Sequence, residues 1–293
     1  MGNLINAGNT IEIIKKYNFT FQKRYGQNFL IDNHVLEKIC NAADISGEDH
    51  VIEIGPGIGT MTQNLCERAK KVTAIEIDKE LIPILKETLA EYDNVEIINE
   101  DVLKLDLKKL IKDKAQGMKT KVVANLPYYI TTPIVMYLLE ERISLSNITI
   151  MIQKEVADRM QATPGGKEYG ALSLAVNYYS SPKVVSNVPP NCFIPRPKVA
   201  SSVICLSVYD EPKVKVNDER MMFKLIRASF NQRRKTLVNS LINASDINYK
   251  KDDIIRALKE MELNETIRGE ALSVEQFAVL TNILLDRTDF DKS

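Results

Sequence analysis

The chain is 293 residues long with 44% hydrophobic and 27% charged residues, which allows one large domain, a small second one and ample core. Its formal net charge of zero excludes attraction to nucleic acid through an overall field, so any such binding must come from local basic patches. No apolar run approaches the roughly 18 residues of a membrane span, and four scattered cysteines with two histidines argue against a disulfide framework or a zinc site and for a reducing cytoplasm.

Residues 1–20 are treated as an N-terminal extension without an assigned role. They lack the apolar core of a signal peptide, and Asn6 spoils the myristoylation pattern that Met1-Gly2 begins. Lys15, Lys16, Lys23 and Arg24 make a candidate basic patch. From residue 51 to about 208 short apolar runs alternate with helical patterns such as Glu80–Tyr92. Strands are expected at Val51–Ile54, Val72–Ile77, Val95–Ile98, Val122–Asn125 and Ile148–Ile152. That alternation predicts an α/β fold, a mostly parallel sheet with helices on both faces. Thr163–Lys167 reads as a mobile loop, either idle or able to close over substrate. Lys183–Val188 and Ser202–Val208 read as a closing pair of strands across a Pro-rich connection. The pattern then changes, and a boundary near Pro212 divides a domain of residues 1–208 from a small all-helical one of residues 209–293. Its helices are expected at Asp218–Ile242, Asp252–Met261 and Val274–Leu285, the last opened by a Ser273/Gln276 capping box.

The run Val51–Thr60 is a strand, a glycine turn at Gly55, Gly57 and Gly59, and a helix start. Glycines let backbone approach a ligand closely, and a helix N-terminus offers unpaired N–H groups. The spacing is G-x-G-x-G rather than the G-x-G-x-x-G that suits a dinucleotide pyrophosphate. Glu53 would repel a pyrophosphate but suits a cofactor bearing an ammonium and a sulfonium. Glu76, ending the second strand, is placed to accept both ribose hydroxyls, and Asp101, after the third, to accept from an adenine amino group. Taken singly, the turn is compatible with a plain tight turn and the carboxylates with helix caps. The ordered series from turn to Glu76, Asp101 and Asn125 favours S-adenosylmethionine over NAD.

Asn125-Leu126-Pro127-Tyr128 ends the fourth strand. An exocyclic amine is a weak nucleophile because its lone pair is delocalised into the ring. The Asn125 side-chain oxygen and the Leu126 carbonyl can each accept one amine N–H, which aims the lone pair at the sulfonium methyl; Pro127 stiffens the turn and Tyr128 offers a stacking face. No strong general base is needed, since the proton becomes acidic once the nitrogen is alkylated. The competing reading is an ordinary exit from a strand. Phe193, in Phe193-Ile-Pro195-Arg-Pro197-Lys-Val199, is placed to sandwich a flipped base against Tyr128, or else to serve as a core residue in a Pro-rich loop. Cys192 lacks a Pro-Cys context, which argues for a buried spectator thiol.

These motifs, with Lys23–Leu30, Phe230-Asn-Gln-Arg-Arg-Lys-Thr-Leu237 and Arg268–Ser273, carry a family resemblance over nearly the whole chain. It resembles the bacterial small-subunit (16S) rRNA adenine N6,N6-dimethyltransferases, the kasugamycin-sensitivity family. The resemblance implies a Rossmann-like class I S-adenosylmethionine methyltransferase domain with a helical RNA- and ribosome-binding domain. It adds Asn28 and Leu30 to Gly55, Gly57, Glu76, Asp101 and Asn125 as cofactor-site residues. It implies two methyl groups on each of two adjacent adenosines near the 3′ end of 16S rRNA, added by a cytoplasmic monomer to the assembling small ribosomal subunit. An additional assembly-checkpoint role is compatible with it.

Lys224, Arg227, Asn231 and Arg234 share one face of the helix expected from Asp218, while Phe223, Ile226 and Phe230 share another; Arg233 and Lys235 add charge. Lys224, Arg227, Arg233, Arg234 and Lys235 are the candidate RNA contacts, set against a merely solvated face. The other readings are a large-subunit rRNA methyltransferase conferring macrolide resistance, a binding protein that kept the fold and lost turnover, and a dehydrogenase. The Gln27–Asp32 start and the basic segment favour the small-subunit enzyme over the first, and intact Asn125–Tyr128 disfavours the second.

Overall fold

The computed structural model describes Leu4 and residues 7–290. Its strands are β1 Phe29–Leu30, β2 His50–Ile54, β3 Lys71–Glu76, β4 Val95–Asn99, β5 Thr120–Asn125, β6 Asn147–Gln153, β7 Ser180–Val188, β8 Phe193–Ile194 and β9 Ser201–Val208. Helix α1 Ala7–Lys16 precedes β1, and α2 Asn33–Ala42, α3 Thr60–Cys66, α4 Ile82–Thr88, α5 Leu107–Ala115, α6 Thr131–Glu140 and α7 Lys154–Met160 lie among the first six strands or directly after them. Then come α8 Ala171–Tyr179, α9 Glu219–Asn231, α10 Leu237–Ile242, α11 Lys251–Glu260 and α12 Val274–Phe290.

Seven strands form one sheet in the order β4-β3-β2-β5-β6-β9-β7. Strands β2 to β6 pair in parallel and β9 joins β6 antiparallel. A parallel strand is covered on both faces, and β2 is accordingly buried along its whole length. Val51, Ile52, Val122, Val123 and Ile148 are fully shielded from solvent. Each such aliphatic side chain contributes about 1.5–3 kcal/mol through burial. The chain leaves β2 toward β3 on one side and returns to β5 on the other, so a crevice opens at the carboxyl ends of these strands. Register fixes what meets there. Ile54 lies beside Ile75 and Ala124, so Gly55 follows between Glu76 and Asn125.

By chain contacts the molecule divides into two units. One comprises the chain up to Ala157 with Ser181–Asp210, and the other Asp158–Ser180 with the chain from Glu211 onward. Residues 158–180, placed in the first domain by sequence, thus group with the helices. The Tyr178 and Tyr179 rings pack on Phe223, and both hydroxyls donate to the Glu219 carboxylate. Such long-range pairings leave no local pattern. The segment 163–167 is tied into this unit, since Gly165 N–H donates to the Glu270 carbonyl and Lys167 O accepts from Arg233.

The helix expected over Asp218–Ile242 is two helices. Asp218 caps α9 by accepting from Met221 N–H, and the helix stops at Asn231. Thr236, extended, caps α10 through Asn239 N–H, and Leu237 N–H bonds to the Ile267 carbonyl. Arg233, Arg234 and Lys235 therefore occupy the connecting turn rather than a helix face. The expected Ser273/Gln276 box is present with both reciprocal bonds, at 2.9 and 3.3 Å.

Candidate active site

The glycine turn between β2 and α3 takes positive φ at Gly55, Gly57 and Gly59. Two of these glycines have no room for a side chain. A Cβ at Gly57 would lie 3.0 Å from the Phe29 ring, and one at Gly59 would lie 2.9 Å from Thr88 Oγ1. The turn is thus pressed between a strap from the N-terminal segment and α4.

The Glu76 carboxylate sits beside the turn, accepting from Gly57 N–H at 3.2 Å and Asp78 N–H at 2.8 Å. It is 4% exposed, and burial pushes its pKa up to about 7. Below the turn Glu53 is wholly buried, and neither carboxylate oxygen has a partner. Burial, with Glu76 near by, raises it to about 8. Asp101, half-buried after β4, accepts from Leu103 N–H at 3.1 Å. All three carboxylates line one pocket.

The strap of residues 25–30 forms another wall. Phe29 is wedged against Phe19 and Phe21, at ring separations of 5.9 and 5.3 Å, within a cluster that includes Ile13 of α1. Gln27 Nε2 donates to Asp78 Oδ2 at 2.8 Å, while its Oε1 accepts from Gln22 N–H. Phe29 and Leu30 form β1, which pairs with Ile194 and Phe193 of β8. The residues assigned no role from sequence thus include part of the packing behind the glycine turn.

Asn125 ends β5 next to Met151 of β6. Its Nδ2 donates to the Asn28 carbonyl at 2.9 Å, which fixes the amide plane and leaves Oδ1 to accept elsewhere. Leu126 N–H is used by Met151 O, and Pro127 O accepts from Ile130 N–H. Tyr128 is half-buried, its hydroxyl 2.8 Å from Ser201 Oγ, and burial raises its pKa. Phe193 is 2% exposed and belongs to the core as well as the pocket wall.

Asn28, Leu30, Gly55, Gly57, Glu76, Asp101, Asn125, Leu126, Pro127, Tyr128 and Phe193 therefore meet around one pocket, held entirely within the first unit. Lys224, Arg227, Arg233, Arg234 and Lys235 belong to the second unit. Arg227, Arg234 and Lys235 are exposed, Lys224 is half-buried, and Arg233 pairs with Glu270 at 3.3 Å. Sequence reasoning missed Tyr25, Gln27 and Tyr129 as pocket residues. Tyr25 and Gln27 lie inside the Lys23–Leu30 motif and Tyr129 directly follows Tyr128, but position in a motif alone does not say which way a side chain turns. Cys192 is buried, donates to Asp32 and is pushed up to about 11, a spectator thiol. Among the described residues no group of three His, Cys, Asp or Glu side chains could hold a metal ion.

The donor set fits S-adenosylmethionine. A buried carboxyl with no partner suits a positively charged ligand, a second carboxylate beside a glycine turn suits vicinal hydroxyls, and among the described residues no lysine or arginine lines the pocket to meet a pyrophosphate. Fold and site together define a class I S-adenosylmethionine-dependent methyltransferase.

Residues 18–285 match the family described as Ribosomal RNA adenine dimethylase. The chain is 61% identical over 276 residues to a Ribosomal RNA small subunit methyltransferase A of Lachnoclostridium phytofermentans, covering 94% of this chain and 95% of that protein. Its counterpart from Clostridioides difficile is 53% identical over 284 residues, covering 97% and 98%. A crystal structure of a dimethyladenosine transferase from Plasmodium falciparum superposes with a TM-score of 0.71 at 28% identity, covering 90% of this chain and 98% of that one. That of the 23S rRNA methyltransferase ErmE gives 0.67 at 25% identity, covering 87% and 99%. The chain belongs to the ribosomal RNA adenine dimethylase family.

Proposed function

We propose that this enzyme methylates N6 of two adjacent adenosines near the 3′ end of 16S rRNA, giving N6,N6-dimethyladenosine in the assembling small subunit. It does so as a cytoplasmic monomer; among the described residues no helix is long and apolar enough to cross a membrane. The observation that carries the reading is the Asn125 amide, locked by the Asn28 carbonyl at the strand end beside the glycine turn and Glu76.

Bound S-adenosylmethionine supplies an electrophilic methyl group. Glu76 would hold it by accepting from ribose hydroxyls, Asp101 by accepting from the adenine amine, and Glu53 by the charge it gains when the cationic ligand lowers its raised pKa. Asn125 Oδ1 and the Leu126 carbonyl accept the two N–H groups of the target amine and so orient its lone pair. Tyr128, its hydroxyl tethered to Ser201, and Phe193 flank the base. On the second unit Lys224, Arg227, Arg234 and Lys235 take backbone phosphates, supported by their exposure or partial exposure.

The test is transfer of labelled methyl groups to undermodified small-subunit particles, large-subunit RNA and naked 16S rRNA, followed by mass spectrometry. Dimethyladenosine is expected in the particles. Label confined to large-subunit RNA would overturn the substrate assignment.

A further inference from the structure

Tyr129 follows the Asn125–Tyr128 turn and takes no part in the roles given above. It lines the pocket, yet its side chain is 59% exposed, more than any other large exposed hydrophobic among the described residues. Its position is constrained. A Cβ at Gly26 would lie 3.7 Å from Tyr129 Cδ1 and Cε1 and 3.4 Å from Pro127 Cβ, so the strap backbone abuts one side of the ring. Gly26 itself takes φ +56, a conformation that glycine adopts without strain. Beside it Tyr25 lines the same pocket, and the exposed Arg24 guanidinium lies 4.6 Å over the Tyr25 ring. Burial, with Tyr25 and Asp101 near by, raises the Tyr129 hydroxyl above the usual phenol range, so the ring stays neutral against a polyanion.

One exposed aromatic is ordinary. Two pocket-rim tyrosines, one backed by glycine and proline and the other topped by a cation, form a surface of the kind that single-stranded nucleic acid uses: π faces for bases and a positive charge for the backbone. The surface is continuous with the pocket that takes the target base. We propose that Tyr129, with Tyr25 and Arg24, binds the nucleotide next to the target adenosine, Tyr129 stacking on its base and Arg24 meeting its phosphate. This rests on the activity proposed above. It gives that activity a foothold for the second of two adjacent adenosines while the first occupies the pocket.

The test uses the full-length enzyme and undermodified small-subunit particles, with Y129A, Y129F, Y129W and R24A variants. Three quantities are read: particle affinity without turnover, KM and kcat for the particles, and S-adenosylmethionine affinity by calorimetry. Y129A is expected to weaken particle binding and raise KM about 10-fold or more, as loss of one base stack implies, with much smaller changes in kcat and cofactor affinity. Y129F and Y129W should restore binding, because the ring face and not the hydroxyl is used. R24A should lower the salt dependence of particle binding. Unchanged particle affinity in Y129A, failure of Y129F to restore it, or an equal loss of cofactor affinity would overturn the assignment; the last would give the ring to the cofactor. Wild-type enzyme that leaves no dimethyladenosine on the particles would instead overturn the activity proposal beneath it, a result read before any variant is compared.

Discussion

At the scale of single residues, the proposed function places its chemistry on two buried carboxyls and one amide. Asn125→Ala removes the acceptor proposed to orient the reacting amine and is expected to lower kcat by about 10²–10³-fold. Cofactor affinity should fall far less, and single-turnover kinetics beside calorimetry separate the two. Glu76, pushed up to about 7 by burial, would have to be ionised to accept ribose hydroxyls well in its proposed role. Cofactor affinity should therefore drop as pH falls through 7, roughly tenfold between pH 8 and pH 6 for one such group. Glu53 is raised from its ordinary 4.5 to about 8. A carboxyl whose pKa is higher in the fold than in the unfolded chain destabilises the fold as pH rises between those values. E53Q should thus melt like wild type at pH 5, but higher than wild type at pH 9, while binding S-adenosylmethionine more weakly. Equal melting temperatures at pH 9 would mean that the buried site tolerates the charge.

At the scale of elements, the break between α9 and α10 sorts the basic residues. Arg227 and Arg234 are exposed, one within α9 and one in the turn that follows it, whereas Arg233 is engaged with Glu270 and the Lys167 carbonyl. The R227A/R234A pair should lower the slope of log affinity against log salt by about 0.7–0.9 for each phosphate no longer neutralised. R233A should change that slope less and instead loosen the segment 163–167, seen as faster amide exchange there. An exposed ion pair is worth only about 0–1 kcal/mol, so little global stability is lost. This division was hidden in the sequence. The basic and apolar spacings from Asp218 onward suit one continuous helix, and only the extended Thr236 and the long-range bond from Leu237 N–H to the Ile267 carbonyl show otherwise.

At the scale of the whole molecule, the large sheet was legible because buried parallel strands read as unbroken apolar runs such as Val122–Ala124, closed by turn residues. The expected strand limits differ from those observed by a few residues at most; β7 begins at Ser180 rather than Lys183. Site residues at the tips of those strands followed from their order. The two-residue strands β1 and β8 were not legible, since neither shows a period and their pairing spans most of the chain. The packing of α1 and Phe19 behind Phe29 was equally silent, and so was the grouping of α8 with the later helices. Because the pocket lies wholly in the first unit, R227A/R234A should leave S-adenosylmethionine affinity unchanged in calorimetry.

Asn125 and Asn28 meet although 97 positions separate them. Half a rotation of that terminal amide would place NH2 where oxygen belongs, and two donors facing each other repel. The opposing carbonyl disfavours the rotation, because it needs a donor and the rotated amide would present Oδ1 to it. The Asn28 carbonyl therefore has no such amide to orient until β5 exists. Until the two meet, the polarity of the Asn125 amide is free to invert.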